Sequence, residues 1–144
     1  MRTPRGFTLI ELTVVILLVG ILSVVAIAKL TGVDEFQVQG FFDSTKATVR
    51  FAQKVAVAQR TNVFVVNTAS TMRVCYDAAC AATVIDPTSG GAMVVTAPAG
   101  VSIGGVGSNS FDGLGRASPG GTISVTGAGI THNILIEAAT GYVH

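Results

Sequence analysis

The sequence predicts an α+β protein in which a long amino-terminal helix, apolar in its first half and amphipathic in its second, lies on an antiparallel β-sheet head. Three observations predict it. Leu12 to Ala28 is a run of seventeen residues without a charge. A helix-compatible stretch continues to about Arg60, with no proline between Arg5 and Asp86. From Asn62 onward short β-prone runs alternate with turn formers, and thirteen of the 17 glycines fall after Pro87. The 144 residues fit a single domain, and 49% hydrophobic residues, 12% charged residues and a mean hydropathy of +0.63 exclude a disordered chain. Nine Lys+Arg against eight Asp+Glu give a net charge of +1, so no nucleic-acid footprint and no acidic tail is written into the balance. Two cysteines cannot build a disulfide framework, and with two histidines, no tryptophan and no CxxC the chain offers no cofactor or zinc motif.

The first element begins with Met1 to Gly6, a short segment made basic by Arg2 and Arg5, whose charges predict a cytoplasmic end. Phe7 to Ala28 is then a 22-residue stretch interrupted only by Glu11. At about 1.5 Å per residue it reaches roughly 33 Å, the thickness of a hydrocarbon core. The competing reading is a cleavable secretory signal, for which Ala26-Ile-Ala28 has the small-x-small form. Its apolar region exceeds the about 7 to 15 residues of such signals and carries a carboxylate near its start. An ionisable group within a membrane segment costs on the order of 2 to 3 kcal/mol near the centre and calls for a partner.

Gly6-Phe-Thr-Leu-Ile-Glu11 ahead of a long apolar helix resembles the processing site of type IV prepilins and of the pseudopilins of type II secretion. The resemblance implies that prepilin peptidase cuts after Gly6 on the cytoplasmic side and methylates the new amino terminus at Phe7, the apolar helix staying in the mature protein. It also implies a partner for Glu11: the Phe7 amine of a neighbouring subunit entering the filament. A free amine with a reference pKa near ~8 would carry charge in a poorly solvated bundle, and a carboxylate offsets it. A pair within one chain is the alternative, since Phe7 and Glu11 are four apart on one helix face and a first-turn carboxylate suits the helix dipole.

In the amphipathic half, Val38, Phe42, Thr45, Val49, Ala52 and Ala56 recur at spacings of four and three, while Asp43, Lys46, Arg50, Gln53 and Lys54 take the other side. Phe41, Phe51 and Val55 widen the apolar face to suit a sheet. Phe7 to about Arg60 would form a rod of ~54 residues and roughly 80 Å, with a bend near Gly32, half in the membrane and half buried against the head. The domain expectation is a leader at 1–6, a membrane and filament-core helix at 7–29, an amphipathic helix at 30–60 and a β head at 61–144.

Strands are expected at Val63–Val66, Thr71–Cys75, Ala82–Ile85, Met93–Thr96, Thr122–Val125 and Ile134–Ile136, with another at Val101–Ile103 if the glycine-dense Gly100 to Gly121 is not a loop. Alternation at Ile123/Val125 and Ile134/Ile136 predicts one packed face. Phe111-Asp-Gly-Leu-Gly115-Arg, Gly121-Thr-Ile-Ser-Val125, Ile134-Leu-Ile-Glu and Thr140-Gly-Tyr-Val143 together resemble the carboxy-terminal pattern of H-type pseudopilins and FimT-like minor pilins. Cys75 and Cys80 enclose four residues, as at a hairpin tip, and in the oxidising space beyond the membrane a disulfide is favoured over two thiols or a metal pair.

His132 and His144 with Asp112 and a serine suggest a hydrolase triad only in composition, because no G-x-S-x-G elbow accompanies them. Asp77, Asp86 and Asp112 are too dispersed for a calcium loop. The expected function is therefore not enzymatic. The chain reads as a minor pilin or pseudopilin, a structural subunit of a type IV pilus or type II secretion pseudopilus. Its partners are other pilin or pseudopilin subunits, prepilin peptidase, the inner-membrane assembly platform and inner-membrane lipid. It crosses the inner membrane once, head in the periplasm, before entering the filament. A DNA-binding minor pilin for natural transformation is the alternative. Removal of the leader would leave seven basic against eight acidic residues, and Arg116 is the only basic residue beyond Arg73, which disfavours nucleic acid as a partner.

Overall fold

A computed structural model describes the backbone of residues 7–30 and 33–144 and the side chains of 7–23 and 35–144. The leader at 1–6 and the bend expected near Gly32 lie outside the described residues. The rod expected as one element is described as two helices, α1 (Leu9–Leu30) and α2 (Val33–Gln59), and the chain divides into compact units at residues 1–33 and 34–144.

In α1 the first turn is fixed by sequence. Thr8 stands at the N-cap, its Oγ1 accepting the Glu11 backbone N–H at 3.3 Å, and Glu11 occupies the third helical position of a T-x-x-E capping pattern. Among its described side chains Leu9, Ile10, Ile16, Leu17 and Leu22 are all exposed, and Glu11 is the one charged group.

In the second unit, α2 buries Val38, Phe41, Thr45, Thr48, Val49, Ala52 and Ala56. The expected apolar face is correct, with Phe41, one of the residues expected to widen it, buried and Phe42 packed half-buried against the core, and Thr48 joins it. Both buried threonines bond backward, Thr45 Oγ1 to Phe41 O at 2.8 Å and Thr48 Oγ1 to Ser44 O at 2.9 Å, so neither hydroxyl is left unsatisfied in the apolar interior. The helix stops at Arg60, which takes φ 51°. Its N–H donates to Val57 O and that of Thr61 to Ala56 O, the Schellman arrangement with arginine where glycine is usual.

Eight strands follow: β1 (Val63–Asn67), β2 (Thr71–Cys75), β3 (Val94–Thr96), β4 (Val101–Gly105), β5 (Ser108–Phe111), β6 (Ala117–Ser118), β7 (Gly121–Gly127) and β8 (Ile130–Ile136). They make two antiparallel sheets rather than one, in the orders β3-β2-β1-β5-β6 and β4-β7-β8. Both present their packed faces to the core that α2 shares: Val63, Val65, Met72, Val74 and Phe111 from the first, Ile103, Ile123, Val125, Ile134 and Ile136 from the second. In the second unit α2 and both sheets thus share one interior.

The glycine-dense segment supplies β4, β5 and β6, and Gly105 makes the switch between sheets. Its φ is +94°, and a Cβ there would overlap Thr122 O, so only glycine lets β4 end against β7 while the chain turns back to pair with β1. The strand expected at Ala82–Ile85 is instead a pair of isolated bridges, Cys75↔Thr83 and Ile85↔Ala92. There Val84 alone divides its backbone between neighbours: its N–H donates to Val74 O and its carbonyl accepts from Met93 N, both at 2.8 Å. Asp86 and Pro87 then end the run with a turn in which Thr88 N–H and Ser89 Oγ donate to the Asp86 carboxylate.

The β7–β8 hairpin turns through Ala128 (φ 50°) and Gly129 (φ 75°), a two-residue loop of the type that favours Asn-Gly. Ala128→Asn is expected to raise stability by about 0.5 to 1 kcal/mol, because asparagine tolerates the left-handed region better than alanine. A urea titration with the midpoint moved up and the slope unchanged checks it; a midpoint at or below the parent's contradicts it.

Candidate functional site

The first candidate site is the start of α1. Phe7 is 81% exposed and precedes the helix. Glu11 is exposed as well, and among the described residues its carboxylate has no partner. In the uncut chain the nitrogen of Phe7 is an amide and carries no charge, so a Glu11–amine pair can form only after cleavage. Gly6 lies outside the described residues. The T-x-x-E spacing of Thr8 and Glu11 is the local signal from which the cap of Thr8 can be found.

Two hydroxyls of α1 bond within the helix. Thr13 Oγ1 donates to Ile10 O at 2.9 Å and Ser23 Oγ to Val19 O at 2.7 Å, which suits apolar surroundings that offer no other acceptor. Among the described residues no helix is long and apolar enough to cross a membrane. The described side chains of α1 stop at Ser23, short of the about 20 apolar residues that a span takes.

On the head, the structure joins Cys75 to Cys80 in a disulfide with the Cα atoms 5.1 Å apart. Cys75 ends β2 and is buried, while Cys80 sits in a turn at φ 58°. Asp77 builds that turn by accepting the N–H groups of Ala81 (3.1 Å) and Ala82 (2.8 Å). The Ala82 and Ala81 amides hold its carboxyl below the usual range. Asp86 is lowered chiefly by the Thr88 amide, and Asp112 by the Arg116 amide. Each aspartate considered as a cation ligand is therefore engaged by its own turn.

The histidines are likewise occupied separately. The His132 ring lies against Phe42, centroids 5.0 Å apart, with Lys46 Nζ 5.6 Å from the Phe42 centroid. His144 stacks on Tyr142 and lies 3.8 Å from the Glu137 carboxylate, whereas Asp112 binds Arg116 Nε at 2.9 Å. The structure assembles none of them with a serine.

Two residues assigned to the solvated side of α2 have structural work there. Arg50 donates to Val143 O through Nε (3.2 Å) and a terminal nitrogen (2.8 Å). Gln53 Nε2 donates to Gly115 O (2.9 Å) and Thr140 O (3.2 Å). These bonds clamp the carboxy-terminal strap, whose Val143 also bridges Ile136. Of the basic residues Lys46, Arg50 and Lys54, the middle guanidinium is committed within the chain.

Residues 1–27 match the family model described as the prokaryotic N-terminal methylation motif. The chain is 40% identical over 55 residues to the type IV narrow pilus major component PilA5 of Thermus thermophilus, a match covering 38% of this chain and 47% of that protein. It thus spans about half the length of that curated relative. The fold is similar to that of the type IV minor pilin FimU of Pseudomonas aeruginosa in two crystal forms. One superposes with a TM-score of 0.62 over 76% of this chain and 88% of FimU at 13% identity. The other gives 0.57 over 74% and 90% at 14% identity.

The amino terminus carries a methylation motif, and the fold resembles that of a type IV minor pilin. The specific sequence signal lies at the amino terminus, and the likeness of the head to FimU is one of fold. The Phe111–Arg116 and Thr140–Val143 patterns coincide with turns whose carbonyls Gly115 O and Thr140 O accept from Gln53 of α2.

Proposed function

We propose that this chain is a structural subunit of a type IV pilus or a type II secretion pseudopilus. On this reading prepilin peptidase cuts after Gly6 and methylates Phe7, and the protein stays in the inner membrane with its head in the periplasm until the assembly platform passes it to the filament. What carries the reading is the joining of a methylation-motif amino terminus to a head with a minor-pilin fold. The exposed apolar side chains of α1 between Leu9 and Leu22 support it, since leaving them uncovered calls for lipid or other helices around them.

The same proposal assigns Glu11 to the Phe7 amine of the neighbouring subunit. Its position in the first helical turn, next to the cleavage point, is compatible with either an intersubunit or an intrachain pair. Assembly separates the two.

Glu11→Ala is expected to be processed normally, losing Met1 to Gly6 and gaining one methyl on Phe7. Its share of sheared filaments should fall more than about tenfold, because the neighbour's amine would enter the bundle uncompensated. Intact mass of the membrane form and quantitative blotting of the filament fraction check the two parts. Incorporation at the parent level removes the intersubunit pair, and a product cut beyond Ala28 removes the filament reading altogether.

A further inference from the structure

The head leaves two apolar features uncovered at opposite ends of α2, each beside a charge of opposite sign. At the start of α2, Phe36 is 81% exposed and follows the exposed Glu35. At its end, Val57 (46% exposed) and Leu114 (76% exposed) line an open cleft with Arg60, Asp112 and Gly113. The cleft is built by the fold. Asp112 accepts the N–H of Leu114 at 2.9 Å and that of Arg116 at 2.8 Å, which holds Leu114 outward at the tip of a tight turn. Gly113 lies so close to the end of α2 that a Cβ would come within 2.9 Å of the Arg60 carbonyl carbon. Asp112 is spent on Arg116, while the Arg60 guanidinium has no partner among the described residues.

Phe36 and Val57 are twenty-one positions apart, which on an α-helix is about 32 Å along the axis and within about 60° around it. The two features thus face broadly the same side and cannot meet in one molecule. We propose that Phe36 of one copy seats on the Val57–Leu114 cleft of a second copy, with Glu35 against Arg60. The complementarity is double, aromatic ring to aliphatic pocket and carboxylate to guanidinium, and the occupant is therefore this chain itself. A copy that offers its Phe36 corner still has its own cleft free. Such a contact is heterologous and repeats, each copy shifted about 32 Å from the last when the helices run parallel. The proposal rests on the filament reading and names a contact surface for it.

The test places p-benzoylphenylalanine at position 36 of the full chain in its host, irradiates sheared filaments and maps the crosslinks by mass spectrometry. A covalent dimer joined to residues 112–116 is the expected result. A crosslink to a different subunit, or none in filaments that contain the chain, overturns the contact. If the chain is absent from filaments, the filament reading fails. The same irradiation in detergent-solubilised membranes then decides the contact, a dimer upholding it and a monomer overturning it. Glu35→Arg and Arg60→Glu should each lower the dimer yield about fivefold and together restore it. Thermal denaturation like the parent's keeps the single variants interpretable, and failure of the double variant to recover overturns the charge pairing.

Discussion

Gly141→Ala is expected to shift the urea midpoint of the head downward by the equivalent of roughly 2 to 4 kcal/mol. Gly141 has φ +64°, and a Cβ there would overlap Gly115 O and come within 2.6 Å of Gln53 Nε2. The left-handed conformation alone costs an L-residue about 1 to 2 kcal/mol. The overlap adds the rest, because the strap must lift off Gln53, which donates to Gly115 O and Thr140 O. Lifting it also strains the Arg50 bonds to Val143 O, and Val143 is only 2% exposed. Gly90→Ala is the control: its φ is +72° but nothing lies within 4 Å of the added Cβ, so it should lose only the conformational part, about 1 kcal/mol. Equal losses at the two positions would show that the strap gives way freely and that the clamp contributes nothing.

The second large effect is at Phe111, the largest fully buried side chain of the head. It ends β5, pairs with Val63 on one side and Ala117 on the other, and lies in the core beneath α2. Phe111→Ala should cost about 3 to 5 kcal/mol, the removed ring leaving a cavity that two hydrogen-bonded neighbours cannot collapse into. That is a large part of what a domain of this size has in hand, so the variant should be substantially unfolded near 37 °C. Phe111→Leu, which keeps most of the volume, should retain the fold with a smaller loss. Calorimetry of the three proteins orders them, and an alanine variant melting with the parent would show the site to be loosely packed.

The amino-terminal signal was fully legible because it is a string: Gly6, Phe7 and Glu11 stand at fixed spacing ahead of an apolar run. So was the buried stripe of α2, since Val38, Thr45, Val49, Ala52 and Ala56 follow the helical repeat and all are buried. One step of about 100° separates Phe41 from Phe42, and repeat counting could not say which ring would enter the core. The division into two sheets was hidden because it turns on Gly105, whose strained backbone matters only once Thr122 lies beside it. Ser108-Asn-Ser-Phe111 has little strand propensity of its own, and pairing with β1 makes it a strand. Arg50 and Gln53 were read as solvated because their acceptors are main-chain carbonyls 93 and 62 residues away, and no local pattern encodes those.

The inward-looking hydroxyls of Thr13 and Ser23 bear on how α1 would change surroundings in the proposed filament assembly. Since both already bond to the helix's own carbonyls, moving from acyl chains to a bed of sister helices breaks no polar contact and forms none. Carbon merely exchanges carbon, and the exchange discriminates little between the two. Among the described side chains of the helix that leaves Glu11 as the charged group, and on the proposed filament reading its preference for a counter-ion would decide when a subunit leaves the lipid.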